Sequence, residues 1–202
     1  VGRGGLPAVM GSKNLKAVVV RGTGAVAVAD RANLEKMVNQ LSERIMKWPG
    51  RELLLHGGLR GMSAQPEAGV AQPTKNWTEF KKGSPESAEL WRQIMEIHLG
   101  NRQPVACPSC PLADKEIVRV KEGEYAGMVT YMTHFMPHSF GSSDPLIEYG
   151  RSVKFADTMN RLGIDSTTVP SIVSFVASLY EQGLLTKEDT GGIEPREDFD
   201  TM

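Results

Sequence analysis

The chain has 202 residues, 40% of them hydrophobic and 23% charged, with 23 Lys and Arg against 24 Asp and Glu. A formal net charge of −1 excludes a whole-chain electrostatic grip on nucleic acid or on an anionic membrane surface. No run approaches the roughly 18 apolar residues of a membrane span. The 2 cysteines cannot build a disulfide framework, and a reduced, cytoplasmic setting is the expectation.

In chain order, Gly2-Arg3-Gly4-Gly5 leads to Leu15-Lys16-Ala17-Val18-Val19-Val20-Arg21. The consecutive small and β-branched residues predict a strand buried on both faces. Gly22-Thr23-Gly24 reads as a turn and Ala25 to Val28 as a second short strand. Asp30 predicts a helix cap, because Leu34, Met37, Val38, Leu41 and Ile45 then recur at helical spacing. Trp48-Pro49-Gly50 stops that helix, and Arg51 to Leu59 predicts a short one closed by Gly57-Gly58.

Gly61 to Lys82 has no periodicity and reads as a long loop. Ser84-Pro85 opens a helix to His98, striped by Leu90, Trp91, Ile94 and Ile97. Gly100 to Asp114 reads as a loop, and Glu116 to Lys121 as a strand. Gly127 to Gly141 is irregular by pattern and holds Met128, Met132 and Met136 at helical spacing, which suits core packing first and an adaptable apolar pocket second. Asp144-Pro145 starts a helix to Leu162 with Gly163 as its stop; Ser166 to Thr168 cap a last helix ending at Gly183. The remainder, rich in charge, Gly and Pro, reads as a solvated tail or connector.

Two segments carry candidate chemistry. Gly4-Gly5, flanked by Arg3, Lys13 and Lys16, lets a backbone approach a phosphate-bearing ligand. The spacing fits neither a P-loop nor a dinucleotide fingerprint, and a plain glycine-rich turn into a strand is the other reading. Cys107-Pro108-Ser109-Cys110-Pro111 places two thiols on a tight turn. Two sulfurs at that spacing can hold a metal ion, two corners of a cluster, a redox pair, or nothing.

Read together, the motifs are specific. Gly2-Arg3-Gly4-Gly5-Leu6-Pro7-Ala8-Val9-Met10-Gly11-Ser12-Lys13-Asn14-Leu15-Lys16-Ala17 closely resembles the signature ending the first domain of the aldehyde:ferredoxin oxidoreductase family. Pro73-Thr74-Lys75-Asn76-Trp77, the cysteine loop, Asn160-Arg161-Leu162-Gly163-Ile164-Asp165 and Leu179 to Thr186 follow in the family's order. Members carry a tungsten or molybdenum bis-pterin and a [4Fe-4S] cluster. The resemblance implies a mainly helical fold with a short N-terminal β segment, as a fragment of a larger multidomain α+β enzyme. By it, residues 1–28 are the edge of a β-rich pterin domain, 29–187 a helical domain, and 188–202 an acidic tail.

The same resemblance assigns Arg3, Gly4, Gly5, Asn160, Ile164 and Asp165 to the pterins, and Cys107 and Cys110 to the cluster. Asp114 stands where the family has a third cluster cysteine; either its carboxylate replaces that ligand, or the cluster is labile or lost. Pro7 replaces a usual glycine at the cost of one backbone donor. The family's Glu-Tyr-Glu run is not recognisable, which suggests a divergent branch near the tungsten subunit of benzoyl-CoA reductases. Glu124, His134 and His138 are the candidates for proton transfer or substrate orientation. The implied partners are an aldehyde or related small substrate, ferredoxin or another electron-transfer subunit, and further domains of the same protein. Two other classes remain: a non-catalytic helical interaction module, and a small metal-binding module built on Cys107, Cys110, Asp114 and His98. His56 and His98 otherwise read as structural.

Overall fold

Asp144 and Pro145 show how closely local signals control the helices. The Asp144 carboxylate accepts hydrogen bonds from the Leu146 and Ile147 amides at 2.8 and 3.3 Å. Pro145 occupies the first turn, where a missing N–H costs nothing. Gly163, at φ 71°, ends the helix in the left-handed conformation that glycine tolerates. Asp30 acts likewise, accepting from the Asn33 amide at 2.9 Å.

The computed structural model describes residues 4–52, 54–55, 72–74, 79–81, 85–132, 144–165 and 168–195. These form helices α1 (Leu6–Ser12), α2 (Arg31–Met46), α3 (Pro85–Asn101), α4 (Pro145–Leu162) and α5 (Thr168–Glu181). The strands are β1 (Gln72–Thr74), β2 (Glu79–Lys81), β3 (Arg102–Val105), β4 (Lys115–Arg119) and β5 (Val129–Met132). Residues 51–52 and 54–55 are also helical.

Strands β3, β4 and β5 form one antiparallel sheet in that order. The register aligns Arg102, Val118 and Thr130 across one row, and Pro104, Glu116 and Met132 across another on the same face. That face packs on α3 and α4, which also pack on each other. Ile94, Val118, Val120, Met132, Tyr149 and Val153 make the core. The cysteine turn is therefore the tip of the β3–β4 hairpin, closed by the pair Val105–Lys115.

Several expectations change. The β structure lies in the middle of the chain, not at its start. Residues 15–21 and 25–28 form no strand, and Val19 is 91% exposed. A run of valines favours a pleated surface, but a strand needs a neighbour for its backbone, and among the described residues this segment has none. The residues after Gly5 form helix α1 instead of leading straight into a strand. Its first turn places Pro7 where its absent N–H would have had no intrahelical partner, so α1 loses no helical bond by it. Part of the predicted 61–82 loop is the antiparallel β1–β2 hairpin. Met128 and Met132 belong to the sheet region rather than to a helix; Met132 is in the core, and Met136 lies outside the described residues. The tail is folded through Asp189, where the Thr186 amide and hydroxyl both donate to the same carboxylate oxygen at 2.8 and 2.7 Å. No helix among the described residues is long and apolar enough to cross a membrane.

Candidate functional site

The cysteine turn is held by its own backbone. The Cys110 amide donates to the Cys107 carbonyl at 3.0 Å. Ser109 takes a positive φ of 61°, which reverses the chain between the two thiols. Both cysteines are free and exposed. The chemistry of two exposed thiols on one turn fits two corners of a metal cluster. Asp114 is paired at the base of the turn: its carboxylate receives the Lys115 ammonium at 2.8 Å. That bond, with a smaller contribution from Cys107, holds the Lys115 amine above its ordinary range. Among the described residues no three His, Cys, Asp or Glu side chains gather to hold a metal ion. His98 is not brought to the cysteines as the small metal module would require. It is fully buried, with Nε2 3.1 Å from Glu116 Oε2.

The glycine segment meets the second motif directly. Gly4 and Gly5 have φ of 88° and 71°, and Gly5 caps α1 with its carbonyl. Among the described residues, chain neighbours aside, no atom lies within 4 Å of where a Cβ on either would sit, which leaves room for a close approach to the backbone. Arg3 lies outside the described residues. Gly163, in the second motif, packs so closely on α1 that a Cβ added to it would sit 2.9 Å from the Cβ of Pro7. Asn160 ties that motif to the sheet, its side-chain amide donating to the Tyr131 carbonyl at 2.7 Å. An aspartate there could not make that bond.

The Ile164 amide is spent on the Met159 carbonyl at 3.1 Å, which leaves only its carbonyl for a ligand. Asp165 caps α5, accepting from the Thr168 hydroxyl and amide at 2.7 and 3.3 Å. The three motifs are thus linked: Pro7 touches Gly163, Asn160 holds Tyr131, and Met132 pairs with Glu116 just beyond the cysteine turn. Glu124 does not join them. It is exposed in the β4–β5 connection, at the end of the sheet away from the cysteines. His134, His138 and His56 lie outside the described residues.

Sequence reasoning missed a buried polar cluster beneath the hairpin. Glu116 accepts from Arg102 Nε at 2.8 Å through the same oxygen that faces His98. Arg102 also donates to the Leu55 carbonyl. The Tyr149 phenol is pushed well up by burial and by the Glu116 charge. A signal existed: Glu116 shares strand parity with Val118 and Val120, so it was bound to face the core.

Taken together, these features define an α+β domain that carries an exposed dithiol turn and a glycine-led helix packed on its partner motif. The family model described as "Aldehyde ferredoxin oxidoreductase, domains 2 & 3" matches residues 36–201. A tungsten-containing aldehyde ferredoxin oxidoreductase of Pyrococcus horikoshii is 32% identical over 95% of this chain and 31% of its own length. Its namesake in Pyrococcus furiosus is 28% identical over 96% of this chain and 31% of its own. An aliphatic sulfonate oxidoreductase, WOR-like subunit, of Pyrococcus furiosus is 28% identical over 94% and 30%. The chain belongs to the aldehyde ferredoxin oxidoreductase family, and it spans about a third of the length of these relatives.

Proposed function

We propose that this chain is the part of a tungsten- or molybdenum-pterin oxidoreductase that closes on the cofactor and carries electrons out. The observation that carries the reading is the packing of Pro7 on Gly163, which sets the glycine segment and the 160–165 motif against each other. Gly4 and Gly5 would give the pterin an unobstructed backbone, and Arg3 a guanidinium for its phosphate. Asp165 would receive the amino groups of a pterin, and the Ile164 carbonyl would do the same. Asn160 would hold that turn to β5. When bound, the metal-pterin group supplies the oxidation of an aldehyde and water to a carboxylate, with release of two electrons and three protons. Cys107 and Cys110 would hold two corners of a [4Fe-4S] cluster, and their exposure suits electron exit to ferredoxin or a similar carrier. Asp114 would serve as a third ligand through its second carboxylate oxygen, its Oδ1 being paired with Lys115. Glu124, His134 and His138 remain the candidates for proton transfer or substrate orientation, Glu124 from an exposed position in the β4–β5 connection. The apolar face of α2, with Leu41 56% exposed, would be covered by other parts of the same polypeptide.

The test is anaerobic purification of the full-length protein. Tungsten or molybdenum with pterin, iron with sulfide, and aldehyde-dependent reduction of ferredoxin are expected. A colourless protein, or one zinc per chain, would overturn the reading.

A further inference from the structure

The strongest unassigned feature is the buried Glu116–Arg102–His98 cluster. Among the described residues, β3 is an edge strand of 4 residues, held on one side by β4. It must support the connection 106–114 that carries both cysteines. A short stem on a long connection closes that loop against its entropy with few ladder bonds. Glu116 lies one residue inside the closing pair Val105–Lys115, on the face turned to α3. Arg102 reaches it diagonally across the two strands, and His98 reaches it from the end of α3. Both partners meet the same oxygen of a side chain that is 3% exposed. Hydrogen bonds to a charged group in such a place are directional and strong, and they fix register as well as adding stability.

The geometry points to Glu116 and Arg102 as positioning residues for the Cys107–Cys110 turn: they lock the base of the hairpin onto α3 so that the two sulfurs face one ligand. This rests on the reading of the two cysteines as a paired donor set. It holds whichever metal they take.

The experiment uses a monosubstituted trivalent arsenical, which must bridge two thiols, together with amide hydrogen exchange. In Glu116→Gln, arsenical affinity falls about tenfold, the scale of one lost buried hydrogen bond to a charged group. Exchange quickens in 106–114 more than in α4. The double variant Arg102→Met with Glu116→Met separates positioning from stability, because replacing both members of a buried pair removes the unpaired charge. Its melting temperature recovers while its turn stays loose and its arsenical affinity low. Recovery of both would overturn the inference, as would Glu116→Gln with unchanged chelation. If Glu116→Gln does not fold, the double variant decides. Neither readout needs iron, tungsten or pterin. Failure to find those groups would sink the proposed function and leave this inference standing.

Discussion

Helices α2 and α4 are built from the same kind of sequence and end in different states. Each starts at an aspartate whose carboxylate caps the first turn, and each carries apolar residues at helical spacing. Yet α4 buries Tyr149, Gly150, Val153 and Met159 among others, while α2 buries none. Caps and spacing make a helix locally; what covers its stripe is decided elsewhere in the polypeptide. The largest expected effect follows directly. Tyr149→Ala should cost about 3–5 kcal/mol, the usual loss for a fully buried aromatic. Leu41→Ala, on the exposed stripe of α2, should stay within about 0.5 kcal/mol in this chain. Urea midpoints of the two variants measure the contrast. If the rest of a full-length protein covers α2, the Leu41 variant should lose about 2 kcal/mol or more there.

The contact between α1 and the end of α4 is a second place to sharpen the difference. Gly163 is left-handed, and an added Cβ would press on Pro7. Gly163→Ala should therefore cost about 1–2 kcal/mol from backbone strain alone. It should also displace α1, seen as faster proteolysis near residues 4–16. Gly163→Asn shares the steric clash but tolerates the backbone better. Equal displacement with a smaller stability loss would assign the two effects separately.

Much of this was legible in the sequence because it is local. Asp30, Asp144, Pro85 and Gly163 announce helix ends through bonds that span a few residues. The valine run at 18–20 misleads, since strand formation depends on a partner that local composition cannot supply. Met128 and Met132 were legible as packing residues, since Met132 is in the core and Met128 lies against it, but not as helix or sheet. A spacing of four suits one face of a helix, and it equally suits one face of a strand. The β1–β2 strands, at 3 residues each, are too short to show a period. In the site, the cysteine turn and the glycine segment could be read as motifs, whereas the Glu116 cluster joins residues 14 and 18 apart in sequence. Only the parity of one charged residue on an apolar strand face hinted at it.

A smaller effect tests the cysteine turn itself. Asp114→Cys would remove the partner of Lys115 and place a third thiol after Cys110. Iron and sulfide bound after anaerobic reconstitution of the full-length protein should rise relative to wild type. Equal loading in both would show that Asp114 already serves as a ligand or that no third donor is used.

The smallest effect concerns an exposed pair on the solvent side of α3. Glu89 accepts from Arg92 at 2.9 and 2.6 Å and from Gln93 at 2.6 Å. The Arg92 bond first, then that of Gln93, pulls the Glu89 carboxyl from 4.5 down to about 2. A carboxyl depressed in the folded state stabilises above its unfolded value, and that contribution is lost as pH falls toward the folded one. Because both side chains lie in water, the stabilisation is screened and small. Arg92→Ala should return Glu89 toward the ordinary carboxylate range, visible in a carbon-detected titration of its carboxyl. The urea midpoint at neutral pH should hardly move, and the slight stability difference between variant and wild type should fade as the pH falls from about 4.5 and be lost below about 2. An upward titration shift with no change in midpoint would show that the helix owes its stability to Ile94 and the core face. A large midpoint change would instead show that α3 depends on its solvent-facing ion pair.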